Sequence, residues 1–113
     1  MSTRNQLLAA PPYEVEQALT ALGRNLRTAR LRRNLTIEDV AEKIGVGRRV
    51  VADAERGKPS TGIAVYVALL WALGLIDQLA DVADPSRDEE GQTLALARER
   101  TQARRKRTLN NDF

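Results

Sequence analysis

The sequence contains no cysteine and no histidine. The first absence removes thiol nucleophiles and disulfides. The two together remove Cys/His zinc sites, Ser-His-Asp triads and histidine acid–base chemistry. Carboxylates are what remains for catalysis, and adjacent pairs such as Asp88 and Glu89 are better explained as solvated charge. No catalytic residue, metal ligand or cofactor is expected. A chain without disulfides fits a reducing compartment, and the cytoplasm is the expected one. No basic-then-apolar leader opens the sequence. The longest uncharged apolar stretch, Ile63 to Ile76, falls short of the ~20 residues that span a bilayer, so no membrane association is expected.

What is present is length for one domain with a modest core, 113 residues, which dimerisation would help to stabilise. The formal net charge is only +3, but the charge is unevenly placed. Arg24, Arg27, Arg30, Arg32 and Arg33 crowd one segment, Arg48, Arg49, Arg56 and Lys58 the next, and Arg104 to Arg107 the end. Between them, Asp77 to Glu90 is acidic. Separated blocks of opposite sign suggest two partners of different character.

Residues 1–12 are polar and small, end in Pro11-Pro12, and read as a flexible arm. Residues 13–84 read as a helical domain. Val15, Leu19, Leu22, Leu26 and Ala29 recur at alternating steps of four and three, which predicts a helix from about Tyr13 to Arg33. Gly23 is expected to weaken or bend it. Asn34 suits a left-handed C-terminal cap, and Thr36 with Asp39 makes a capping-box signal.

A second helix follows to about Ile44, with Ile37, Val40, Ala41 and Ile44 apolar. Gly45 supplies a left-handed turn, Val46 plugs the angle between helices, and Gly47 is a tolerable N-cap. The third helix, Arg48 to Arg56, buries Val51 and Ala54 and half-covers Val50. Gly57 and Pro59 close it. Ser60 or Thr61 is expected to cap a fourth helix, Ile63 to Leu73, which has no charge on any face. Such a helix needs cover on all sides, more than a domain this small easily provides. A fifth, shorter helix is expected from Leu75 to Ala83. Residues 85–113 read as a charged tail, partly helical or disordered, with Thr93 to Arg107 its helical candidate.

Two short helices around a glycine turn, Thr36 to Gly57, carry the strongest functional signal. Arg48, Arg49, Ala52 and Asp53 lie at the N-terminal end and outer face of the second of them, where a recognition helix meets base edges. The stretch from about Leu22 to Leu75 resembles the Xre family of helix-turn-helix regulators, to which lambdoid phage repressors belong. The resemblance rests on Leu35-Thr36, Ala41-Glu42-Lys43-Ile44-Gly45-Val46, Glu55-Arg56-Gly57-Lys58 and Ala72-Leu73-Gly74.

It implies an all-α, five-helix, lambda-repressor-like domain that binds double-stranded operator DNA as a homodimer. Arg48, Arg49, Ala52 and Asp53 would read bases. An arginine pairs with guanine O6 and N7, and Asp53 would accept from cytosine N4 or orient Arg49. Two positions depart from the family. Ile37 stands where a backbone-gripping glutamine is common, so phosphate contact falls to Arg24, Arg27, Lys43, Arg56 or Lys58. Gly47 stands where a Ser or Thr cap is usual.

A narrower resemblance, carried by Gly57-Lys58-Pro59, Thr61 to Tyr66, Leu70 to Leu75, Asp84-Pro85 and the arginine-rich tail, is to HipB-type antitoxins. These are repressors that pair with HipA-like serine/threonine kinase toxins. It implies a dimer or toxin interface that includes Tyr66, Trp71, Leu75 and Leu79. Tyr66 and Trp71 read equally well as core. A stand-alone Xre-family regulator with no toxin partner is the alternative. The basic tail either grips flanking phosphates or meets the acidic face of a partner, and Phe113 is a candidate docking aromatic.

Overall fold

The computed structural model describes residues 5–111, and every regular element among them is helical. The chain forms two compact units, Met1–Asp77 and Gln78–Phe113.

The first unit holds α1 (Gln6–Ala9), α2 (Tyr13–Arg32), α3 (Ile37–Ile44), α4 (Arg48–Glu55) and α5 (Ile63–Ala72). The small α1 lies inside the segment read as an arm. It forms because Asn5 Oδ1 accepts from the Leu7 and Leu8 amides, 3.0 and 3.4 Å away, and so satisfies donors that a helix start leaves open.

The helix boundaries have local chemical causes. At the start of α3 the Thr36 amide donates to Asp39 Oδ2 at 2.9 Å, and the Asp39 amide donates to Thr36 Oγ1 at 3.0 Å. The Thr36 hydrogen bonds hold the Asp39 carboxyl below the usual carboxylate range. Four helices end alike. Asn34, Gly45, Gly57 and Gly74 take positive φ of 56°, 76°, 72° and 75°, and the next amide reaches back to the helix. Leu35 donates to Arg30 O, Val46 to Ala41 O, Lys58 to Asp53 O and Leu75 to Leu70 O, at 2.7–3.2 Å. This is the left-handed closure that glycine and asparagine favour. The start of α5 differs from expectation: Gly62, rather than Ser60 or Thr61, is its N-cap, and no side chain caps it.

The core of the unit is Leu26 and Ala29 from α2, Val40 and Ala41 from α3, Val51 and Ala54 from α4, and Tyr66, Leu69, Leu70, Ala72 and Leu73 around α5. α4 packs on α2, α3 and α5, so the second helix of the pair is the hub of the unit. The stripe on α2 is buried only in its second half: Val15 is exposed, and Leu19 and Leu22 are half-buried.

Gly23 does not bend α2. It lies buried where α2 crosses the end of α4, and a Cβ there would stand 2.6 Å from the carbonyl oxygens of both Ala54 and Glu55. The helix continues unbroken through it. A bare Cα is what lets the two backbones approach.

The predicted fifth α-helix is replaced by a 3-10 turn, Ile76–Asp81. The turn is followed by a left-handed Ala83, φ 56°, which ends any helical continuation. In the second unit a 3-10 turn, Pro85–Arg87, leads into α6 (Glu89–Asn111) and packs on it. Asp84 caps that turn through Oδ1, which accepts from the Ser86 amide and hydroxyl. The helix of the tail is therefore longer at both ends than the Thr93 to Arg107 expectation. Phe113 lies outside the described residues. None of the described helices is long and apolar enough to cross a membrane.

Candidate nucleic-acid interface

The candidate reading face is built on α4. Its inner side is fixed by Val51 and Ala54, both fully buried, with Val50 half-buried. Helical spacing then sends Arg49 outward, while Arg48, three residues before Val51, is open because it stands in the uncovered first turn. Both are exposed, and Ala52 beside them is half-buried. Gly47 takes an extended conformation, φ −75° and ψ 157°, and caps α4 without a side-chain hydrogen bond. The open amides at this helix start favour an anion. Arg48 Nη1 stands 3.5 Å from Glu38 Oε1 of α3, with both side chains about seven-tenths exposed. A surface pair of this kind is weak, so Arg48 stays available.

Asp53 is placed differently from expectation. It does not orient Arg49. Its Oδ1 accepts from Arg56 Nη2 at 2.6 Å, and its Oδ2 is 3.5 Å from Lys58 Nζ. The Arg56 hydrogen bond is the main reason its carboxyl is held below the usual range. Both oxygens are engaged by neighbouring cations, and the side chain is only 16% exposed. Cytosine would have to displace Arg56 or Lys58 to be read here. Arg56 and Lys58 themselves remain exposed on the surface, 71% and 51%, as do Arg24 and Arg27 on α2.

Lys43 is also turned away from the expected role. Its Nζ donates to the Ala72 carbonyl at 3.3 Å and sits 5.5 Å from the centroid of the Trp71 ring. The amine satisfies one of the open carbonyls at the end of α5 and gains a cation–π contact.

Of the four interface candidates, Tyr66 is corrected to core. It is 3% exposed, its hydroxyl donates to the Lys58 carbonyl at 3.3 Å, and burial pushes its phenol up. Leu75 and Leu79 are half-buried. Trp71 is 53% exposed and Ile63 72%. Among the described residues, the uncharged α5 is thus left open at Ile63 in its first turn and along a strip with Ala64 and Trp71.

Sequence reasoning missed the group that holds α4 in place. Arg30 of α2 is 7% exposed. Its Nε and Nη2 donate to both carboxylate oxygens of Glu55, at 2.6 and 2.9 Å, and its Nη1 donates to Leu35 O at 2.9 Å. The Glu55 hydrogen bond raises the Arg30 pKa further above its ordinary value, against a smaller opposing effect of burial. A bidentate guanidinium fixes orientation as well as distance. It joins α2, the Asn34 turn and the end of α4. Among so many arginines at this part of the sequence, nothing in the spacing marked Arg30 as the buried one, apart from its place next to Ala29 on the apolar side.

The family described as "Helix-turn-helix domain" has a model that matches residues 21–83, more than half of the chain. No protein of curated function matches it.

Proposed function

The chain belongs to the helix-turn-helix domain family of DNA-binding regulators, and on that premise we propose that it is an operator-specific repressor acting as a homodimer. The observation that carries the reading is the pair of exposed arginines, Arg48 and Arg49, in the first turn of a helix that Val51 and Ala54 lock to the core. Two copies would place these helices in successive major-groove half-sites, ~34 Å apart along the duplex. Ala52 would add an apolar contact, with Arg24, Arg27, Arg56 and Lys58 on phosphates. Asp53 would act chiefly by steering Arg56 and Lys58.

Replacing Arg48 or Arg49 by alanine is expected to cost roughly 1–3 kcal/mol of operator affinity and to relax base preference at one position of each half-site. A competition assay against single-base operator variants reads both effects. Unchanged preference would remove that arginine from the reading set.

We further propose that the repressor is the antitoxin of a type II pair, with a HipA-like serine/threonine kinase toxin as partner. The resemblance of residues 57–75 to HipB-type antitoxins supports this, as do Ile63 and Trp71 exposed on a helix with no charge. Exposed large apolar side chains of this kind favour a protein partner. Co-expression of the tagged chain with the product of its neighbouring gene, weighed by native mass spectrometry, tests it. A retained kinase-sized partner that Trp71→Ala weakens is the expected result. A homodimer that retains nothing favours the stand-alone regulator.

A further inference from the structure

Residues 98–107 of α6 read Arg-Glu-Arg-Thr-Gln-Ala-Arg-Arg-Lys-Arg, six cations against one carboxylate. Their net +5 exceeds the +3 of the whole chain. Every side chain from Gln92 to Leu109 is exposed, and among the described residues none of the six cations enters an ion pair. The segment lies beyond the matched family region, which ends at residue 83.

The helix sorts these charges. At 3.6 residues per turn, Arg100, Arg104 and Arg107 fall in one row and Arg98 and Arg105 in another. Ala97, Thr101 and Thr108 lie between the rows. A shallow groove lies on this face, lined by Thr101, Arg104, Arg105, Thr108 and Leu109. The Thr101 and Thr108 hydroxyls donate back to the carbonyls of Ala97 and Arg104, both at 3.0 Å. The strip therefore offers methyl groups rather than free donors.

The first row also sets like charges side by side, Arg100 over Arg104 and Arg104 over Arg107. Such neighbours repel on an isolated helix, and a polyanion lying along both rows relieves the repulsion. A protein partner would need an apolar centre, but the exposed leucines are spread out: Leu96 falls on another side from Leu94, and Leu109, which borders the groove, stands about 22 Å along the helix from Leu94.

We propose that residues 98–107 are a second DNA-contacting element, independent of base sequence. The face of Ala97, Thr101 and Thr108 lies against a groove of duplex DNA, and the two arginine rows take phosphates on its two sides. Small residues on that face let the helix approach closely, and the major groove is wide enough to admit it. Hydroxyls already donating within the helix have no proton to offer a base edge, and the charged rows face phosphates, so the contact positions far more than it specifies. The choice of DNA as the occupant rests on the regulator reading above.

The test uses the full chain and a labelled 30-base-pair duplex of scrambled sequence, with affinity followed against sodium chloride concentration. In the variant, Arg98, Arg100, Arg104, Arg105 and Arg107 are all changed to glutamine, a helix former of similar propensity. Expected is a loss of at least ten-fold in affinity at 0.1 M salt. The slope of log affinity against log salt should flatten by about 3–4 units, at ~0.9 per phosphate released. The same five positions changed to lysine should keep affinity and slope, because phosphates need only the charge. Equal slopes for the wild type and the glutamine variant would overturn the proposal. So would a lysine variant as weak as the glutamine one.

Loss of binding to poly-L-glutamate with DNA binding unchanged would also overturn it, and would assign α6 to an acidic protein. Arg48→Ala and Arg49→Ala leave the α6 increment on scrambled duplex intact. Failure of the α6 proposal and failure of the operator reading are thus seen separately.

Discussion

Glu55→Ala is expected to destabilise the protein by about 3–5 kcal/mol. The side chains of Arg30 and Glu55 are 8% and 7% exposed, so removing the carboxylate leaves a guanidinium without water or a counter-charge. Arginine does not escape by losing its proton. One hydrogen bond, to the Leu35 carbonyl, survives, and the other two donors are orphaned. For a domain whose total stability is of order 5–15 kcal/mol, the loss is a large share.

The pair itself need not be a net gain, because burying two charges is costly. Arg30→Met combined with Glu55→Leu is therefore expected to recover much of what the single change loses. Urea unfolding of the three variants decides the matter. A loss under 1 kcal/mol for Glu55→Ala would show that the site is wet and the pair dispensable.

Gly23→Ala is expected to destabilise by about 2–3 kcal/mol, against a helix propensity that favours alanine by about 1 kcal/mol. The two effects have opposite signs, so the sign alone is informative. The overlap is with the carbonyl oxygens of Ala54 and Glu55, which are backbone and cannot swing aside. Relief requires α2 and α4 to separate, and that separation strains the Arg30–Glu55 bridge beside it.

Gly57→Ala should cost at least as much. Its φ of 72° is unfavourable for any Cβ, and the added atom would stand 2.5 Å from the Leu19 carbonyl oxygen. Thermal or urea unfolding measures both. A stabilised Gly23→Ala variant would show that propensity governs and that the crossing is loose.

What was legible in the sequence is what neighbouring residues decide among themselves. The capping box of Thr36 and Asp39, the left-handed ends at Asn34 and Gly45, the closure at Gly57, and the burial of Val51 and Ala54 all follow from spacing within a turn or two. The outward placement of Arg49 follows from the same periodicity, and the exposure of Arg48 from its place in the first turn. What was not legible depends on partners far along the chain.

Arg30 meets Glu55 across 25 positions, and Lys43 meets Ala72 across 29. Gly23 read as a weak point because its neighbour, the end of α4, is remote in sequence. Tyr66 could be surface or core until the Lys58 carbonyl was seen to take its hydroxyl. Asp53 was near enough to Arg49, Arg56 and Lys58 for any of them to claim it, and only the turn after α4 decides in favour of the last two. The arm and the tail hold more helix than the sequence reading expected, for another reason. Their helices bury little, and they stand on local capping and propensity, which a search for apolar stripes does not see.

Along α4 the groups that hold the helix and those that face outward are different residues. Val51, Ala54 and Glu55 carry the fold, while the exposed Arg48 and Arg49 contribute little to it. Substitutions at these two positions are therefore close to silent for stability, and they do not draw on the margin that limits most mutational paths. On the proposed reading, a lineage built on this scaffold is free to exchange one DNA preference for another through intermediates that all remain folded. Duplicated copies would then diverge first in what they bind and only much later in how they fold.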